Sequence, residues 1–399
     1  MDGDLRITNA LIFDGSAAEL TEGGIRIVKG EIVEIGEVKA ASDEPSFDAA
    51  GRTIIPGLID AHFHAYAINL RTDVIEMTPL SYIALAASRR LVSTLRRGFT
   101  TVRDVAGGDP GLASAIAAGL MPSPRYLYTG AALSQTGGHG DPRSSRFDQC
   151  LHGGYMCEVV DGEEGVRHAA RERFRRGAHA IKMMTSGGVI SLDDPIRLAQ
   201  YSSGEIRAVV DEAERRGSYV VAHAYSPEAI RHSVNNGIRS IEHGNLLDDE
   251  AAALMNAKGA YLVPTLVAYD AMDRRGVELG LSPVSQSKNR EVLNAGKDAI
   301  VRARSAGVPI GFGTDLMGEL EEDQLIGLRL QSEADGILNT LHSATVVNAD
   351  LIGRPELGRI AIGARGDLVI LDGNPLAQPE VLWDDRKTRT IIQAGHLVA

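Results

Sequence analysis

A chain of 399 residues exceeds one ordinary core and reads as two or three domains, or as one large α/β barrel plus a smaller module; a hormone, a lone adaptor or a disulfide miniprotein is excluded. With 44% hydrophobic and 24% charged residues the composition is that of a folded globular chain, not a disordered one. A formal charge of −12 and 5% aromatics, with a single Trp383, argue against nucleic acid as a partner, whether through phosphates or stacked bases.

The start, MDGDLRITNALIF, carries acids where a secretory signal carries bases, and no run reaches the ~18–20 apolar residues of a membrane span. A cytoplasmic protein without membrane contact is expected. Cys150 and Cys157 are too few to staple the chain and read as ordinary thiols. His152 lies between them, but CLHGGYMC lacks the two CxxC pairs of a zinc finger.

The first 55 residues read as short strands, LRITNALIFDG, GIRIVKGEIVEIGE and RTIIPG, in which β-branched and polar residues alternate and Gly marks the turns. From about 57 to 355 the pattern becomes short apolar strands, each followed by an amphipathic helix. The strand candidates are FTTVRDV, AIKMMTS, SYVVAHA, SIEHGN, AYLVPTL and VPIGFGTD. The helix candidates SYIALAASRRLVSTLRRG, EEGVRHAARERFRRG, SGEIRAVVDEAERRG and SPEAIRHSVNNG end at Gly, three of them after a basic turn. The C-terminal GRIAIGARGDLVILDGNP and TRTIIQAGHLVA return to the β grammar of the start. The predicted fold is therefore a (β/α)8 TIM barrel over 57–355, with residues 1–56 and 356–399 pairing into a small β-sandwich domain. A doubly wound open sheet is the alternative.

In a barrel, side chains at the C-terminal ends of the strands converge on one mouth. Four of eleven histidines fall there: His62 and His64 after GLID, His223 in VVAHA and His243 in SIEHG. Lys182 in AIKMM and Asp315 in GFGTD are expected at the ends of two further strands. His62 and His64, two apart, face one way along a strand and can chelate one ion. Imidazole and carboxylate suit zinc, and also Mn, Fe or Co. Taken singly, each residue has a plainer reading: a hydrogen-bonded core histidine, a surface lysine, an aspartate capping a helix. His168, His179, His232, His342 and His396 fall in or near helices or in the β module and read as surface or supporting residues.

These residues resemble the metal-dependent amidohydrolase superfamily. PGLIDAHFH resembles its PGxIDxHxH signature, and Lys182, His223, His243 and Asp315 follow its order of ligands, a match spanning nearly the whole chain. IKMMTSGGVIS, TGGHGD and HAYSPEAI resemble the branch of prolidase-like Xaa-Pro dipeptidases, carboxypeptidase-like dipeptidases and ochratoxin-type amide hydrolases, near the imidazolonepropionase-like enzymes. The resemblance implies two divalent metals, usually zinc. His62 and His64 would bind the buried ion, His223 and His243 the exposed one, and Asp315 would complete the buried site. Lys182 would bridge both as a carbamate formed with CO2, which needs a neutral amine and so a depressed pKa.

The implied reaction is hydrolysis of a linear amide, a dipeptide or an N-acyl amino acid, by a hydroxide bridging the metals. Asp315 would act as general base and then acid, with Tyr225 or His139 stabilising the oxyanion. Arg143 and Arg146, or backbone donors of SGGV at 186–189, would take a substrate carboxylate. Homo-oligomers are usual in that branch. Deaminase relatives carry a strand-five HxxE, whereas here Glu228 stands five residues after His223. Cyclic-amide hydrolysis is the nearest rival reading, and an inactive barrel serving as an assembly protein is the rival outside enzymology.

Overall fold

The computed structural model describes residues 3–40, 44–143 and 154–398; Arg146, Cys150 and His152 lie outside them. Both ends of the chain contribute to one sheet, as their shared β grammar predicts. Its hydrogen-bonded order is His396–Leu397, Arg389–Gln393, Leu368–Leu371, Thr53–Pro56, Leu5–Ile12, Thr21–Val28 and Glu31–Gly36, with Ser46–Asp48 added to Leu5–Ile12. The two ends meet in an antiparallel seam, Leu368 opposite Pro56 and Leu371 opposite Thr53. Lys29-Gly30 and Ala394-Gly395, all at positive φ, make two-residue turns whose twist matches the flanking strands. In hydrogen-bond terms the expected sandwich is thus one continuous sheet, which buries Ile7, Ile25, Ile54, Leu368 and Ile392 together.

The middle of the chain alternates parallel strands with helices. Leu58–Phe63, Phe99–Asp104 and Arg125–Tyr128 form one set. Cys157–Val159, Ala132–Ser134, Ile181–Met184, Val220–Ala224, Ser240–His243 and Tyr261–Val263 form the other. Backbone hydrogen bonds continue past the last strand, from Gly311 N to Leu262 O (2.8 Å) and from Ala61 N to Phe312 O (2.9 Å). The predicted helices are present as Leu80–Arg96, Glu163–Arg175, Ser203–Glu214 and Pro227–Asn235. Ser202 and Glu205 close a capping box at the start of the third. In the first, Ile83, Ala87, Leu91 and Leu95 recur at helical spacing and are buried, so this face packs inward.

Three strand expectations need correction. AYLVPTL is a strand only over Tyr261–Val263; Pro264 has no N–H for a ladder, and a helix runs from Leu266 to Arg275. VPIGFGTD forms no regular strand, only a bridge between Ile310 and Leu262. There the Asn348 side chain replaces part of the ladder, accepting from Phe312 N (3.1 Å) and donating to Ile59 O (2.8 Å) and Phe312 O (2.7 Å). Lys182 is not at a strand end but is the second residue of Ile181–Met184, opposite Val221 and two positions below the Met184–His223 pair. Its four-carbon arm, not its backbone, has to carry the amine upward.

Candidate metal centre

The seam strand Thr53–Pro56 runs through Gly57 directly into Leu58–Phe63, so the terminal sheet fixes where His62 begins. A Cβ at Gly57 would collide with the Thr100 side chain, which explains the glycine at this crossing. His62 and His64 stand with ring centroids 5.0 Å apart. Below them Asp60 is fully buried and accepts from Thr314 Oγ1 (2.6 Å), Gln324 Nε2 (3.0 Å) and His62 N (3.1 Å). Burial still pushes its carboxyl up. From the first long helix, buried Arg90 donates to the carbonyls of His64 (3.2 Å), Leu316 (2.8 Å) and Gly318 (2.7 Å), tying the backbones on either side of the site together.

Asp315 enters from the irregular segment, its amide donating to His62 O at 2.8 Å. Its Oδ1 lies 2.8 Å from His64 Nε2 and 3.3 Å from His62 Nε2, and its Oδ2 lies 3.8 Å from His243 Nδ1. Ligand atoms of His62, His243 and Asp315 fall within 4.8 Å of one another. Burial opposes ionisation of Asp315, but the surrounding imidazoles hold its carboxyl well below the usual range. Asp315 and His243 both have left-handed backbones, φ 54° and 74°. Neither is glycine, so each stores strain of about 1–3 kcal/mol, the kind that persists where packing over-determines a functional geometry. His243 also meets His62 at 4.9 Å and His223 at 4.6 Å between ring centroids.

Gly313 is the tight contact in this segment: a Cβ there would approach His62 Cβ to 2.5 Å. Gly313→Ala is expected to cost about 1–3 kcal/mol by overpacking and to displace His62. Thermal melts with and without metal check this; a variant with native melting temperature and native metal content refutes it.

Lys182 is 2% exposed, and among the described residues its amine has no hydrogen bond or ion pair. Burial is the main influence, and against the pull of Glu242 and Asp315 it lowers the amine to about 8. Behind His62 stands a fully buried ion pair. Glu242 Oε2 lies 2.7 Å from His62 Nδ1, and Glu242 Oε1 accepts from Arg103 at 2.8 Å. Burial disfavours the ionised form, yet Arg103 and His62 hold the Glu242 carboxyl far below the usual carboxylate range.

The other expected site residues divide. His139 is brought in, its ring stacked on His223 at 4.2 Å, with Nδ1 2.7 Å from Ser191 Oγ. It packs on Gly188, where any Cβ would overlap the ring. Tyr225 stacks on His243 at 5.0 Å, and its hydroxyl pairs with Tyr269 OH at 2.9 Å. Among the described residues no hydrogen bond brings Arg143 to the cluster: its guanidinium forks onto Asp141 (2.7 and 2.6 Å). In the SGGV stretch Gly187 N donates to Leu198 O and Gly188 N to Asp194 Oδ2, so both are engaged. Cys157 is a free thiol pushed up to about 12 by burial, the inert state expected for it.

The family model for the amidohydrolase family matches residues 53–398. The chain belongs to the amidohydrolase family. It is 32% identical over 366 residues to ochratoxinase from Aspergillus niger, covering 86% of this chain and 75% of that one. A prolidase solved with N-methylphosphonate-L-proline superposes with a TM-score of 0.96 at 42% identity, covering 99% of both chains. A Xaa-Pro dipeptidase solved with methionine in its active site gives 0.87 at 28% identity, covering 99% of this chain and 100% of that one.

Sequence reasoning missed several residues around this amidohydrolase site, namely Arg103, Glu242, Asp60, Arg90 and Tyr269. The available signal was a charge inside an otherwise apolar strand, as in FTTVRDV and SIEHG. One of the histidines also sets a pH dependence. Burial works against a charged His64, but the flanking Asp104 and Asp315 carboxylates outweigh it and raise the ring to about 9. That lies above the unfolded ~6.5. The bound proton therefore stabilises the metal-free fold fully below about pH 6.5, and this contribution is lost as pH rises through about 9. A metal held by His64 would compete for the same ring, because imidazole ligates in its neutral form. Zinc uptake near pH 8 is expected to release protons, and affinity to rise with pH until about 9; potentiometric titration reads both, and uptake without proton release refutes the assignment.

Proposed function

We propose that this amidohydrolase is a binuclear metal-dependent hydrolase of a linear amide or peptide bond, probing for an Xaa-Pro-like dipeptide first and an N-acyl amino acid second. The metals, zinc foremost, would be held by His62, His64, His223, His243, Asp315 and a Lys182 carboxylated by CO2. The observation that carries the reading is the buried Lys182 amine, without a hydrogen-bond or ion-pair partner among the described residues, within electrostatic reach of Asp315, His223 and His243, while His62, His243 and Asp315 gather their ligand atoms within 4.8 Å of one another. A cation there repels metals; a neutral amine accepts CO2, forming an N–C bond, losing a proton and becoming an anion suited to bridge them. The donor set fits zinc chemistry, since every donor is nitrogen or oxygen and His62 has a carboxylate on its far nitrogen. We also infer that the hydrogen bonds from 309–312 to Leu262 and Ala61 close the strands of 57–355 into a (β/α)8 barrel, with 1–56 and 356–399 as the second domain.

Divalent ions bound there supply polarisation of the carbonyl and acidification of water. The chain's own residues do the rest. Asp315, whose side chain keeps 19% exposure, is the carboxylate placed to take a proton from water and return it to the leaving nitrogen. His139 is oriented by Ser191 through Nδ1, leaving Nε2 to face a substrate oxygen. Tyr225 is aligned by Tyr269, and both rings pack on His243. A substrate carboxylate at Arg143 has to displace the Asp141 fork.

The similarity to a prolidase solved with a proline phosphonate and to ochratoxinase supports a linear amide attached to an amino acid. The test is a panel of dipeptides, N-acyl amino acids and cyclic imides with zinc- or manganese-loaded protein. Turnover of linear members is expected; turnover confined to the rings overturns the proposal in favour of a cyclic-amide hydrolase.

A further inference from the structure

A cavity lies at the opposite end of the parallel strands from the candidate metal-ligating cluster. It has a volume of about 500 Å³ and is formed where the chain enters Ile181–Met184, Val220–Ala224 and Ser240–His243, whereas His223 and His243 lie at the far ends of the latter two. That volume is in the range of small-molecule sites. Among the described residues no carboxylate lines it; Arg216, Arg239 and His179 do, among the rings of Tyr128, Phe174 and Tyr219.

The cations are held in place by those rings. Arg216 sits over Phe174 at 5.6 Å, and Arg239 sits between Tyr219 (5.2 Å) and Tyr261 (5.5 Å). Arg239 spends one nitrogen on Asp350 O (2.8 Å). Among the described residues neither guanidinium has a carboxylate partner, in a chain of net charge −12 where most arginines do. His179 donates through Nε2 to Ile352 O (2.9 Å), and its ring is pushed down to about 4, by burial first and then by Arg103, Arg354 and Arg239. The cavity is thus electropositive as well as aromatic.

We infer that this cavity is a binding site for a small organic anion with a flat ring, an aromatic carboxylate, whose charge meets Arg216 and Arg239 and whose ring lies among Tyr128, Phe174 and Tyr219. Guanidinium forks match carboxylate geometry, and aromatic walls favour a ring over a bare inorganic anion. The inference is independent of the reaction proposed above. Its floor nevertheless adjoins the metal centre, because Tyr219 OH lies 3.5 Å from Arg103 Nη1 and Arg103 holds Glu242.

The test is titration of the full-length, metal-loaded protein with 4-fluorobenzoate, followed by ¹⁹F line broadening, with inorganic phosphate as competitor. Saturable binding is expected, weakened about 10-fold in Arg216→Ala, an exposed position whose loss leaves the fold intact. Lys182→Ala, which alters the other end of the strands, is expected to bind with native affinity. Equal affinity in Arg216→Ala, loss of binding in Lys182→Ala, or displacement by phosphate at concentrations equal to those of the probe would each overturn the inference.

Discussion

Lys182→Ala is expected to lose bound metal and activity together, with turnover falling at least about 100-fold, because it removes the buried amine proposed to become the bridging anion. The same substitution separates a functional from a structural lysine. A buried amine with no partner is a desolvation cost to the metal-free fold, so Lys182→Met, which keeps the volume and drops the charge, is expected to raise the melting temperature of metal-free protein while abolishing turnover. Stability and activity then move in opposite directions. In the native protein ¹³C-labelled bicarbonate is expected to give a carbamate resonance that Lys182→Ala lacks. Short carboxylic acids such as formate, entering the space left by the side chain, are expected to restore part of the activity of Lys182→Ala. Two metals per chain and full turnover in Lys182→Ala would end the carbamate proposal.

How far the sequence carried the reading depends on where each residue stands relative to period-two alternation. His62, His64, His223 and His243 follow apolar strands and were legible from that position alone. The pairing of the two chain ends was legible for the same reason, since Leu368–Leu371 and Thr53–Pro56 share an alternating grammar. Glu242 was not, because alternation sends consecutive residues to opposite faces. The left-handed backbone at His243 breaks that rule and sets both Glu242 and His243 against the His62 ring. Asp315 was found by its residue type, but the strand expected to carry it is replaced by a glycine-rich path held by Asn348, a long-range contact that no local pattern encodes. Lys182 was assigned to a strand end because its arm was not counted: its backbone sits two residues below the position opposite His223.

Glu242→Gln probes the part of the centre that sequence reasoning did not reach. Arg103 is fully buried and Glu242 is its only carboxylate partner among the described residues, so neutralising Glu242 strands a charge in the interior. Breaking one half of such a pair costs about 3–5 kcal/mol, against the 1 kcal/mol or less of an exposed pair. Gln can still accept from His62 Nδ1, so the ring keeps its orientation but loses the negative charge that raises its basicity toward a metal. Metal affinity is therefore expected to fall about 10–100-fold in addition to the stability loss. The two effects separate in the Arg103→Met/Glu242→Gln double variant. With no stranded charge it is expected to recover a large share of the lost stability, while metal affinity stays reduced. Denaturant melts of metal-free protein read the first quantity, and competition with a chromogenic chelator reads the second. If affinity returned along with stability, Glu242 would matter to this amidohydrolase only as the partner of Arg103, and the carboxylate behind His62 would have no part in holding the metal.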